Sequence, residues 1–283
     1  MNKVFHLHLV SDSTGETTYS LARACLVQFE NIEVNTQTHS QVLNAAKMQK
    51  VIESINANPG AVMYTMINKP LGDALVKGCA KIGVPCIDVL DGVITRLQRY
   101  FGQTIRGQPG RQHQLDDQYF HRIDAMQFTL SHDDGQGFDH LNEAEIILVG
   151  VSRTSKTPTS MYLANHRGLK AANVPFVPGV PLPDMLFTEQ TPFVVGLTTS
   201  PERLVQIRRN RMKSLGEEKE TDYVELDQVR QEILQARKLF AKMRWPVIDV
   251  TRRSIEETAS EIYELYAKNI GNPRIDDITT KNL

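Results

Sequence analysis

Cysteine is scarce: the 283 residues hold three, Cys25, Cys79 and Cys86, with no CxxC spacing. So few, in apolar surroundings, argue against a disulfide scaffold and fit reduced thiols in a reducing cytosol. The eight histidines form no HExxH or other paired spacing, which argues against a zinc enzyme. No apolar run reaches the roughly 18 residues that a membrane-spanning helix requires. The opening MNKVFHLHLV lacks the apolar core and cleavage site of a secretory signal and reads as a first strand. An excess of one charge is missing too. With 32 basic and 33 acidic residues the net charge is −1, which gives no global pull toward nucleic acid or an anionic membrane. A soluble, cytoplasmic protein is the expectation.

What is present is the makings of a globular core, with 41% hydrophobic and 23% charged residues, in a length that suits about two domains. Strand-like runs (Val4 to Val10, Ile32 to Thr38, Ala61 to Met66, Val84 to Val89) alternate with helical periodicities in the first hundred residues. After a Gly/Gln/Arg-rich stretch at 102–113 and a polar helix from Asp116, the alternation resumes with strands near Glu145, Val174, Phe193 and Val247. Repeated β-α units with short turns predict parallel sheets. The fold class is therefore α/β: an N-terminal parallel-sheet domain over 1–102, a connecting segment over 103–143, and a P-loop kinase-like α/β domain over 144–283. No internal repeat or low-complexity tract is visible.

The strongest chemical signal is Gly150-Val151-Ser152-Arg153-Thr154-Ser155-Lys156-Thr157. It matches Gly-x4-Gly-Lys-Ser/Thr everywhere except at Ser155, and it lies between an apolar strand and a helix-opening Pro158. Backbone N–H groups at such a turn converge on an anion, and the helix dipole favours negative charge there. Lys156 would add a point charge beside terminal phosphates, and Thr157 could offer a hydroxyl to Mg²⁺. The bland alternative is an ordinary strand-to-helix turn with a surface lysine. Ser11-Asp12-Ser13-Thr14-Gly15 occupies the matching place after the first strand and reads equally as a phosphate or peptide site or as a capped turn. His132-Asp133-Asp134-Gly135 could bind Mg²⁺ or deprotonate a hydroxyl, although Asx-turn chemistry alone accounts for Asp-Asp-Gly. Arg203, Arg208, Arg209, Arg211 and Lys213 make a basic helical stretch that reads mainly as a solvated face, with one or two arginines free to clamp a phosphate. Asp184, in a Pro-rich loop, is a further candidate base on position alone.

The ordered set VSDSTGET, HDDG, GVSRTSKTPTS, AANVPFVPG, GLTTSPERL and WPVIDVTRRSIEE, spread over nearly the whole chain, resembles the bacterial pyruvate, phosphate dikinase regulatory protein family. That family includes the phosphoenolpyruvate synthase regulators. The resemblance implies a bifunctional enzyme. It would phosphorylate a threonine of the target dikinase with ADP and remove that phosphate with inorganic phosphate, giving pyrophosphate. It also implies that Gly150 through Thr157 is the nucleotide loop, with Lys156 near the transferred β-phosphate, and it adds weight to Asp133 or Asp134 as the group orienting the threonine hydroxyl or the metal. Some relatives carry glycine where this chain has Ser155. The N-terminal VSDSTGET form leans toward pyruvate, phosphate dikinase rather than phosphoenolpyruvate synthase as the target. Two other readings stand beside it, a P-loop small-molecule kinase using ATP and a non-catalytic nucleotide sensor. A homodimer is the default assembly for a soluble enzyme.

Overall fold

A computed structural model describes residues 4–104, 117–188, 191–214 and 222–271. The chain divides into two compact units, residues 1–114 and 115–282. Part of the Gly/Gln/Arg-rich stretch, from 105 onward, lies outside the described residues.

The first unit alternates strands β1 (Val4–Ser11), β2 (Glu33–His39), β3 (Ala61–Thr65) and β4 (Cys86–Asp88) with helices α1 (Glu16–Leu26), α2 (Ala45–Ala57), α3 (Lys69–Ile82) and α4 (Asp91–Phe101). All strand pairs are parallel, in the order β2-β1-β3-β4. Alternate strand residues feed opposite faces. Val10, Val62 and Tyr64 pack against Met48, Val51, Ile55, Leu71 and Leu75, while Leu7, Leu9 and Met63 meet Ala22 on the other side. Helix α3 is opened by Asn68, which accepts the N–H of Leu71 as an N-cap, and Pro70 suits the first turn.

The second unit opens on α5 (Asp117–Ser131) and then runs β5 (Ile146–Gly150), α6 (Lys156–Arg167), β6 (Ala171–Pro175), β7 (Phe193–Thr198), α7 (Pro201–Ser214), α8 (Leu226–Met243), β8 (Val247–Asp249) and α9 (Ile255–Asn269). Its parallel sheet has the order β6-β5-β7-β8, which repeats the connectivity of the first unit. Central strand β5 is buried along its whole length, which is why its sequence is a continuous apolar run. Ile147 and Val149 face a cluster with Leu204, Ile233 and Phe240. Ile146 and Leu148 face Leu163, Ala259 and Ile262. The segment read from sequence as a connector, 103–143, therefore includes a helix, α5, and a 3-10 turn (Phe138–Glu143) of the second unit. Phe128 of α5 and Leu141 of the turn belong to the second unit's core.

Chain direction follows from these pairings. Each sheet reverses its strand order between its first and third strands, at β1/β3 and at β5/β7. In open parallel sheets such a reversal leaves a crevice beyond the carboxyl ends of the strands. Ser11–Gly15 follows β1 and Val151–Ser155 follows β5, so both loops sit at that edge of their own unit.

Candidate active site

Strand β5 ends at Gly150, where a side chain has no room. A Cβ there would come within 2.7 Å of both the Leu197 carbonyl of β7 and the Thr154 hydroxyl. The chain then turns through two non-glycine residues in the left-handed region, Arg153 (φ 71°) and Ser155 (φ 59°). Ser155 is the N-cap of α6. The positive φ that glycine supplies elsewhere is thus adopted here by serine, at about 1–2 kcal/mol of backbone strain. Thr154 stabilises the turn by donating to the Val151 carbonyl at 2.9 Å. Among the described residues no carbonyl accepts the N–H groups of Ser152 through Thr157. These donors, together with the N-terminus of α6, are the ingredients of an anion nest.

Lys156 is 5% exposed and folds back so that Nζ donates to the Val151 carbonyl at 3.2 Å. Its pKa falls to about 8, chiefly through burial; the Asp134 and Asp133 charges oppose the fall, and Arg208 and Arg153 add to it. The HDDG turn supplies those carboxylates. Asp134 (φ 48°) and Gly135 (φ 81°) make the bend, and strand β6 pins it, since the Asn173 N–H donates to the His132 carbonyl and the Gly135 N–H donates to that of Asn173. His132 is buried and stacked on Phe128 with ring centres 3.9 Å apart, and its Nδ1 lies 2.8 Å from the Phe128 carbonyl. The outcome is a contact between segments 24 residues apart: the Thr157 hydroxyl donates to Asp133 Oδ1 at 2.9 Å. A cleft of about 540 Å³ lies over the loop, lined by Asp134, Arg153, Lys156, Thr157, Val177 and Ile207 among others.

The basic stretch of α7 behaves differently from a solvated face at one position. Arg208 is 1% exposed and grips Glu232 of α8 with Nη1 at 3.2 Å and Nη2 at 2.7 Å. It also donates to the carbonyls of Tyr223 (3.0 Å) and Ser152 (3.3 Å), and lies 4.3 Å from the centre of the Tyr223 ring. Its charge is held beneath the loop as a strut, a role that sequence spacing did not reveal. Asp184 opens a short 3-10 turn, is exposed, and does not join the cluster. Asn173, which bonds both Asp133 and Thr157, carried no separate signal in the sequence because Ala171-Ala172-Asn173 lacks the β-branched run of its neighbours. In the first unit, Asp12 is buried and accepts the N–H groups of Ile67 (2.7 Å) and Asn68 (3.1 Å), while Ser11 accepts from Thr65. Those polar groups lock the loop to the end of β3. Gly15 (φ 85°) caps α1 without a side-chain bond.

Among the described residues no three His, Cys, Asp or Glu side chains converge as a metal cage. The Asp133 carboxylate and the Thr157 hydroxyl form an oxygen-only donor pair. Such a pair fits Mg²⁺, which takes one or two protein oxygens and completes its shell from phosphates and water.

A parallel α/β sheet whose central strand leads into a loop with a glycine, a lysine and a threonine at a helix N-terminus, faced by two carboxylates, has the makings of a phosphate-binding site. The particular family is shown by comparison. The family described as kinase/pyrophosphorylase matches residues 7–263, and the chain belongs to it. It is 51% identical over 268 residues to a Paramagnetospirillum magneticum protein, covering 95% of this chain and 86% of that one. It is 50% identical to a Caulobacter vibrioides protein, covering 96% and 86%. An Erythrobacter litoralis protein is likewise 50% identical, covering 93% and 95%. All three carry, provisionally, the name pyruvate, phosphate dikinase regulatory protein.

Proposed function

We propose that this chain transfers the β-phosphoryl group of ADP to a threonine of pyruvate, phosphate dikinase, and removes it again with inorganic phosphate. In the forward direction the threonine oxygen attacks the β-phosphorus, the bond to the bridging oxygen of AMP breaks, and the threonine proton leaves to a carboxylate. In the reverse direction a phosphate oxygen attacks the phosphothreonine, pyrophosphate forms, and the threonine oxygen recovers a proton. Such transfers depend on positioning and on charge stabilisation. Gly150 through Thr157 would cradle the phosphates, with Lys156 beside the group transferred. Asp133 and Thr157 would hold Mg²⁺, which neutralises phosphate charge. Asp134, exposed and lining the cleft, would receive the threonine proton. The observation that carries this reading is the Thr157–Asp133 bond, which joins the HDDG turn to the phosphate loop. A donor and an acceptor sharing one loop allow a single site to serve both directions.

The reaction draws on ADP and phosphate of the cytoplasm, and no described helix is long and apolar enough to cross a membrane. A homodimer is the expected assembly. The test is incubation with [β-³²P]ADP or [γ-³²P]ATP and either pyruvate, phosphate dikinase or phosphoenolpyruvate synthase. Label on a dikinase threonine from ADP alone is expected. Label from ATP only, or transfer to a small molecule, sinks the reading, and label on the synthase alone redirects it to that target.

A further inference from the structure

We infer that Asn173 is a positioning residue that fixes which oxygen of Asp133 faces the reacting groups, an inference that rests on the function proposed above. Asn173 sits within β6 at 1% exposure, opposite Leu148 of β5 and between Ala172 and Val174. A primary amide there is expensive, because every polar atom taken from water needs a partner. Its Oδ1 is buried and has none among the described residues. An aliphatic residue would fill the same space without that penalty, so a purely structural role does not explain the amide.

What the amide does is visible on its other atom. Nδ2 donates to Asp133 Oδ1 in a short contact and to the Thr157 hydroxyl oxygen at 2.9 Å, and it lies 3.5 Å from Asp134 Oδ1. The opposite amide orientation would set oxygen against carboxylate oxygen, so the donor must point this way. The Thr157 hydroxyl itself donates to the same Asp133 Oδ1. Two donors therefore converge on one carboxylate oxygen and stop the carboxylate from rotating. Oδ2 is left without a bond from any described group, and it is the oxygen free to face a cation or a hydroxyl proton. Thr157 is oriented by the same amide: its proton is committed to Asp133, one lone pair takes the Asn173 N–H, and the other remains free. A single side chain from β6 thus sets both oxygen donors of the pair. The backbone of the same residue holds His132 and Gly135, so strand and turn move as one body.

The experiment is Asn173→Leu, which keeps the branched outline of the side chain and removes the donor, with Asn173→Ser prepared in parallel as a smaller replacement should the bulkier leucine fail to pack. Thermal unfolding screens the fold of each variant. The expected result is a kcat reduced about 10- to 100-fold in both directions, because a displaced catalytic group loses that much, with the KM for ADP within about twofold, since Asn173 bonds neither Lys156 nor the loop N–H groups that would hold the phosphates. A crystal structure of the variant should show Asp133 withdrawn from Thr157. A well-folded variant with unchanged kcat, a KM that rises while kcat holds, or a preserved Asp133–Thr157 contact would each overturn the inference. Wild-type protein assayed alongside separates the two claims. If it transfers no label from ADP, the proposed function fails, and the crystallographic contact still decides whether Asn173 positions Asp133.

Discussion

Lys156 is a charged group placed where charge is costly. Burial outweighs the attraction of Asp134 and Asp133 and brings its pKa down to about 8. The folded state therefore gives up this proton before the unfolded chain does. The sign follows: the burial penalty is present in full below the folded value, and it is relieved as pH rises through about 8 toward the ordinary lysine range. An anion in the loop reverses the balance, because a phosphate beside the ammonium favours its charged form. ADP binding should then draw a proton from solvent. Titration calorimetry in buffers of different ionisation enthalpy should find net uptake of up to about three-quarters of a proton per ADP at about pH 8.5, shrinking to about a tenth near pH 7. The same titrations on Lys156→Arg, whose guanidinium stays charged, should show no uptake. Equal uptake by both proteins would remove Lys156 from contact with the phosphates.

At the scale of elements, α7 and α8 brace the loop through one buried ion pair. Arg208→Ala leaves Glu232 without its partner and the Ser152 and Tyr223 carbonyls without a donor. Breaking a buried pair on one side costs about 3–5 kcal/mol; Glu232 is 22% exposed and can recover some hydration, so the lower end is expected. Arg208→Met should lose less stability, yet it still frees the Ser152 carbonyl and should weaken ADP binding. Urea denaturation and calorimetry on both variants check this, and full ADP affinity in a folded Arg208→Met would show that the strut is dispensable to the loop. This pair also shows where sequence reading stops. The Ile146–Val149 run, the loop and the helix after it were legible, because they are consecutive and each has a local physical signature, although the helix starts at Lys156, two residues before the Pro158 that marked it. The partners of Arg208 lie 15 to 56 residues away in helix, turn and loop, and a basic run looks the same whether one of its members is buried or none is. Asn173 stayed hidden for a similar reason. Ala171-Ala172 has little strand propensity, and only pairing with β5 makes it a strand and turns the amide toward Asp133.

Across the whole molecule, the same strand order appears twice, β2-β1-β3-β4 and β6-β5-β7-β8, although no repeat is visible in the sequence. Topology can persist where side chains do not, since a parallel sheet asks only for apolar strands and covering helices. The loop after β1 has no lysine and commits Asp12 to backbone N–H groups, whereas the loop after β5 has Lys156 and leaves its own N–H groups unclaimed. The proposed chemistry thus falls to the second unit, which has core clusters on both faces of its sheet. A unit with its own core is expected to fold by itself. Residues 115–283 produced alone should unfold cooperatively, and ADP should raise their stability along the same concentration curve as in the full chain, about 2.7 kcal/mol at a hundredfold excess over Kd. Differential scanning calorimetry across an ADP series measures both. A fragment that folds but gains nothing from ADP would mean that the first unit contributes to the nucleotide site, and the division of labour argued from the two loops would have to be abandoned.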